Sequence, residues 1–120
     1  MTVDGLDGRW QPLRAELDGQ AAPDEVLEQT ELEFAGDRYR VRFGGRIADA
    51  GIWARISHAP GTLILHGHEG TNAGRSLPSL YQLAGNRLRL CVGLDGRPPE
   101  GFAAGAGSNC YLVTYRRKTP

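Results

Sequence analysis

His66-Gly67-His68-Glu69 is the stretch of this chain whose residue types are suited to proton transfer or metal binding. On an extended strand, residues two apart project to the same side, so the two imidazoles would stand about 7 Å apart. Imidazole changes charge near neutral pH, and two of them supply half of a tetrahedral metal set or an acid–base pair. Two histidines are not a full ligand set, and Glu69 points to the opposite side if the strand continues. His58 falls at the far end of the same strand pair. The sequence therefore predicts no metal and no cofactor, and it leaves His66 and His68 as polar rim residues or as an acid–base pair. Arg55 is the other charged candidate. A guanidinium facing an interior needs an anionic partner, because burying its charge alone is costly. A ligand carboxylate or enolate, held bidentately, would serve. On a solvated outer face it needs none.

Tyr39, Phe43, Trp53, Tyr81 and Tyr111 offer flat, amphipathic surface. With Arg55, His66 and His68 they make up the candidate lining of a ligand site. Other chemistry is excluded by pattern. Cys91 lacks an activating base beside it in sequence, so it reads as packing. Cys91 and Cys110 lack metal-knuckle spacing and read as buried free thiols. Ser76, Ser79 and Ser108 have no Ser-His-acid order, and Gly105-Ala106-Gly107 lacks the following Lys-Ser/Thr of a phosphate loop.

Strands are what must position these residues. Period-two alternation marks Arg9–Leu17, with Leu13, Ala15 and Leu17 on one side, then Glu31–Ala35 and Arg38–Phe43. Further strands are Ile47–Ser57, Thr62–His68, Leu77–Leu83, Arg87–Val92 and Asn109–Arg116. A short helix, Pro23–Gln29, separates the first two, its Pro at a first helical position and Asp24 and Glu25 at the positive end of the dipole. The Arg38-Arg40-Arg42 row reads as a solvated face partnered by nearby glutamates. Eight antiparallel strands in sequential order predict an all-β, up-and-down barrel, the economical way to remove both sheet edges. Its interior is just wide enough for side chains or one small ligand. Connections alternate between the two ends. The longer ones, holding the helix, the Gly70–Ser76 segment and the Leu94–Ser108 segment, gather at one mouth, with Gly44-Gly45 as the short turn there.

Which face of the fourth and fifth strands is inward stays open. A two-residue turn pairing His58 with Gly61 puts Trp53, Arg55, Ile64, His66 and His68 on one face. Ile52, Ala54, Ile56, Leu63 and Leu65 then form a wholly aliphatic face that reads as core. A change of one residue in the turn flips the relation between the strands.

Composition bounds the rest. The 120 residues carry 14 basic and 14 acidic side chains, for zero formal net charge, which argues against a nucleic-acid partner. No stretch is long and apolar enough for a membrane helix. Met1-Thr2-Val3-Asp4-Gly5 has neither a basic nor an apolar leader region, so a reducing cytoplasm is the expected compartment. Residues 1–120 read as a single domain.

Gly8-Arg9-Trp10, answered about a hundred residues later by Arg116-Arg117, resembles the signature that opens and closes lipocalin-type barrels. Leu6-Asp7-Gly8-Arg9-Trp10, Leu32-Glu33-Phe34-Ala35-Gly36-Asp37-Arg38-Tyr39, Gly51-Ile52-Trp53, Leu80-Tyr81-Gln82-Leu83 and Leu88-Arg89-Leu90-Cys91 extend the likeness over nearly the whole chain. They resemble the lipocalin-like domain family common in planctomycetes and other bacteria. The resemblance implies an indole plugging a closed end beneath an arginine, Trp53 and Arg55 inside the barrel, and a ligand cavity. It implies no catalytic motif. The leading expectation is a carrier or sensor of a small apolar or amphipathic molecule. The alternatives are a small isomerase or cyclase assisted by His66, His68 or Arg55, and a filled barrel acting as a structural or homodimerising domain.

Overall fold

The computed structural model describes residues 5–118. Met1–Asp4, where most of the expectation about a leader falls, lie outside the described residues. The elements in chain order are β1 (Gly8–Leu17), β2 (Gln20–Ala21), α1 (Asp24–Gln29), β3 (Thr30–Ala35), β4 (Arg38–Phe43), β5 (Arg46–Arg55), β6 (Thr62–Gly70), β7 (Ser76–Ala84), β8 (Arg87–Gly93) and β9 (Cys110–Arg117). Strands β1 and β3 to β9 pair antiparallel in sequential order, and β9 returns to β1, so the eight strands close into an up-and-down barrel. The two-residue β2 only folds back on the end of β1, an addition the alternation pattern does not reveal.

Alternation decides what faces in. Leu32, Phe34, Tyr39, Leu63, Leu65, Leu77, Leu88, Leu90, Val92, Val113 and Tyr115 form one buried core. Full burial of a Leu or Phe side chain stabilises by roughly 1.5–3 kcal/mol. On the outside, Glu33 pairs with Arg9, Arg40 and Arg42, and Glu31 with Arg42 and Lys118. The Lys118 ammonium, 2.7 Å away, is the main cause holding the Glu31 carboxyl below its usual range.

One strand departs from its expected pattern. Only Ala15 of the set Leu13, Ala15 and Leu17 is buried, and Leu13 and Leu17 are exposed. For Leu13 the cause is a bulge: the register against β9 slips between Pro12 and Arg14, leaving it as the extra, outward residue, whereas Leu17 keeps the row of Ala15 and is exposed at the end of the strand. Strands β1 and β3 pair only from Gly8 to Trp10, opposite Leu32 to Phe34. Beyond Trp10, α1 packs on β1 and buries Leu27 in the core, while Gln11 Nε2 donates to the Leu27 carbonyl at 2.7 Å.

The floor is built on Trp10. Its indole is fully buried, and Nε1 donates to the Leu6 carbonyl at 2.9 Å. The Arg117 guanidinium lies 4.3 Å from the ring centroid, in cation–π range. It also donates to the carbonyls of Asp7 and Gly5 and to Asn86 Oδ1. Gly8 has φ +131°, and a Cβ there would stand 3.1 Å from Arg117 Nη1. The Gly8–Trp10–Arg117 set is thus one device: the glycine leaves room for the guanidinium that covers the indole. Arg116 is exposed and has no part in it.

Candidate functional site

The floor end carries the turns 36–37, 56–61 and 85–86, so the opposite end is the mouth. Between them the wall encloses a cavity of about 220 Å³. Its apolar lining includes Leu32, Phe34, Leu65, Leu77, Leu90 and Val92, with Leu94 at the rim. Its polar groups are Tyr39, Asp49, Thr71, Asn72, Tyr111 and Tyr115.

Among the described residues, Asp49 is the one carboxylate in this lining. A bulge at Ala48, where β5 slips against Val41 and Arg42 of β4, sets Asp49 opposite Val41. Tyr39 Oη donates to Asp49 Oδ1 at 3.1 Å, and Asn72 Nδ2 donates to Asp49 Oδ2 at 2.9 Å. Burial is the main cause raising the Tyr39 phenol well above its ordinary value, followed by the neighbouring Asp49 charge and the hydrogen bond to it. Tyr39 therefore stays a donor. Burial likewise raises Tyr111 and Tyr115.

Asn72 reaches Asp49 because the 71–75 connection folds in over the mouth. Gly67 N donates to the Arg75 carbonyl at 2.9 Å and Gly74 N to the Gly67 carbonyl at 2.8 Å. A Cβ on Gly67 would overlap the Asn72 carbonyl, so only glycine lets this segment lie so close. Arg75 then ties the segment to the next connection through the Leu94 carbonyl. After Leu94 the chain leaves the mouth. Residues 95–109 double back on the outer wall, where Ala104 and Phe102 cover Cys91 and Cys110, and Arg89 lies 4.3 Å from the Phe102 ring centroid. Both cysteines are buried and free.

Few of the residues singled out from sequence meet in this cavity. Tyr39 and Tyr111 are on its wall. Phe43 is exposed at the rim. Trp53 is buried but lower down: its ring meets Phe34 edge-on at 5.5 Å, and Nε1 donates to the Gly36 carbonyl at the floor-end turn. Arg55 and Tyr81 are lower still, with the guanidinium 5.8 Å from the phenol ring centroid; Arg55 is exposed at the end of β5, not inside the barrel as the resemblance implies.

The register between β5 and β6 settles which face is inward. Trp53 lies opposite Leu65, and Arg55 opposite Leu63. The 56–61 turn is built from Ile56, Ala59 and Thr62 hydrogen bonds, not from a His58–Gly61 pair, and the one-residue difference moves Leu63 and Leu65 onto the row of Trp53. Ile64 and His66 fall on the outer row with Ile52 and Ala54. His66 Nδ1 is 2.8 Å from Ser76 Oγ at the surface. His68 is the extra residue of a bulge between Ala50 and Gly51 and opens on an outer hollow shared with Arg38, Arg40 and Glu69. Among the described residues, no three His, Cys, Asp or Glu side chains gather as a metal site. Ser79, read as lying near a loop, is a buried strand residue donating to the Leu77 carbonyl.

Asp49, Thr71, Asn72 and Tyr115 are the polar lining residues not singled out from sequence. The available signal is a lone carboxylate in the otherwise apolar run Ile47-Ala48-Asp49-Ala50-Gly51. Among the described residues, no helix is long and apolar enough to cross a membrane. No family model matches the chain, and neither a curated protein nor a solved structure is found similar to it.

Proposed function

We propose that this chain is a lipocalin-like binding barrel, a carrier or sensor that holds one small apolar or amphipathic molecule. The observation that carries this reading is the apolar void of about 220 Å³ between the mouth segment and the Trp10 floor. Side chains in small barrels commonly fill the interior; here they leave part of it empty. Drug-sized sites run to roughly 300–1,000 Å³, and a benzene-sized guest fits roughly 150 Å³. The volume therefore suits a ligand slightly larger than a single aromatic ring. The isomerase or cyclase alternative is not favoured, because His66, His68 and Arg55 all stand away from the cavity.

The test is NMR of methyl-labelled protein titrated with small aromatic fragments, beside native mass spectrometry of freshly purified material. The expected result is saturable shifts at the Leu65, Leu77 and Leu90 methyls, or a retained mass lost on denaturation. Fragments at millimolar concentration that move none of these methyls, together with a bare native mass, would overturn the reading.

A further inference from the structure

We infer that the cavity selects a cationic amphiphile, a small amine with an apolar body, and that Asp49 is the residue that recognises the amine. The inference rests on the binding-barrel reading and goes beyond it in fixing the sign of the ligand's charge. A carboxylate on an apolar wall is costly unless its charge is met. Asp49 receives one hydrogen bond on each oxygen, from neutral donors: the Tyr39 hydroxyl at 3.1 Å and the Asn72 amide at 2.9 Å. Neither neutralises it, and each oxygen keeps a further lone pair.

Among the described residues, the ion pairs found centre on Glu31 and Glu33 on the outer wall, and none involves Asp49. Among the described residues, the cavity lining contains no Lys, Arg or His. Its one formal charge is the Asp49 carboxylate, so a ligand carboxylate would meet repulsion there. An ammonium meets the opposite conditions. Asp49 supplies a charge-assisted hydrogen bond, and Tyr39, Tyr111 and Tyr115 contribute aromatic surface for cation–π contact. Below them the apolar wall takes the rest of the molecule. The two donors that hold Asp49 come from opposite sides: Tyr39 from the barrel wall and Asn72 from the segment folded over the mouth. The carboxylate is thus fixed before any ligand arrives, so little ordering is left to occur on binding.

Three probes of nearly equal size separate the possibilities: 2-phenylethylamine, 2-phenylethanol and 3-phenylpropanoate, titrated calorimetrically into the unmodified protein at neutral pH. The amine is expected to bind at least tenfold more tightly than the alcohol, and the carboxylate weakest of all. Asp49→Asn keeps the shape and an oxygen for Tyr39, and it should bring amine and alcohol within about twofold of each other. The ranking on the unmodified chain does not depend on that variant folding. An alcohol that binds as tightly as the amine overturns the charge selection and leaves the binding barrel standing. Failure of all three probes overturns the amine assignment, and the binding barrel with it where the native mass is also bare.

Discussion

Raising the pH should unfold this barrel through its tyrosines. Tyr39 is 1 % exposed and Tyr115 5 % exposed, and Tyr111 is half-buried. Burial is the leading cause that raises all three phenols; Asp49 adds to it at Tyr39, and Tyr111 adds to it at Tyr115. In the unfolded chain these groups ionise near pH 10. Above about pH 10 the unfolded chain has released protons that the folded barrel still holds, so stability is complete below that pH and falls as pH rises further. Each such group contributes about 1.4 kcal/mol per pH unit until its own folded value is passed. Tyr39 and Tyr115 together give about 3 kcal/mol per unit, and Tyr111 brings the slope to about 4 over a shorter window. Cys91, also raised by burial, acts in the same direction from about pH 9. Domain stabilities begin at about 5 kcal/mol, so a barrel in the lower part of that range should unfold between roughly pH 11.5 and 12.5. The assay follows tyrosinate absorbance and far-ultraviolet circular dichroism on the same samples from about pH 8 to about pH 13. The phenol signal of these three residues and the loss of strand signal should share one midpoint. Tyr39→Phe should flatten the tyrosine part of the stability slope by about a third. Ionisation of three phenols near pH 10 with the strand signal intact would refute the burial argument.

Four further outcomes follow from the same contacts. Trp10→Ala removes the floor and should cost about 3–5 kcal/mol in urea unfolding; Gly8→Ala, at φ +131° and against Arg117, should cost about 1–3 kcal/mol. Gly67→Ala must push the Asn72 segment away from the mouth, so hydrogen exchange at residues 71–75 should speed up well before global unfolding. Cys91 and Cys110, covered by Ala104 and Phe102, should react with a thiol reagent only at the rate the 95–109 segment opens, and at once in denaturant.

The fold was legible where the two faces of a strand differ in chemistry. Tyr39 and Val41 against Arg38, Arg40 and Arg42 leave one possible inside for β4, and the Gly8–Trp10–Arg117 floor is held by three residue types with few substitutes. It was not legible where an extra residue resets the alternation. Leu13 looks like core from its neighbours Ala15 and Leu17, yet the bulge after Pro12 turns it outward. Ala48 and His68 are extra residues of the same kind, both at the mouth. A bulge re-aims a side chain without a fixed residue type, so alternation alone does not announce it.

The site was less legible than the fold, because alternation gives the row a side chain occupies and not its depth. Asp49, Gly51 and Trp53 share the inward row of β5, and Arg55 ends that row exposed at the floor; the row includes the two residues that drew attention as candidates. At about 3.3 Å per residue, Asp49 and Arg55 stand about 20 Å apart along it. That distance separates two opposite chemistries. At the mouth end the row offers a carboxylate steadied by neutral donors; at the floor end it offers a guanidinium stacked near Tyr81. A cavity at the floor end would have called for an anionic ligand, as the reading of Arg55 from sequence supposed. Because Trp53, Phe34 and Trp10 fill the lower barrel, the empty volume lies above them and meets Asp49 instead. The polarity of the proposed ligand thus follows from where the large aromatic rings are packed. Shortening Trp53 to leucine should therefore extend the void toward Arg55 and weaken the preference for an amine over a carboxylate in the three-probe titration. A preference left unchanged in a Trp53→Leu protein that still folds would show that packing depth is not what sets it.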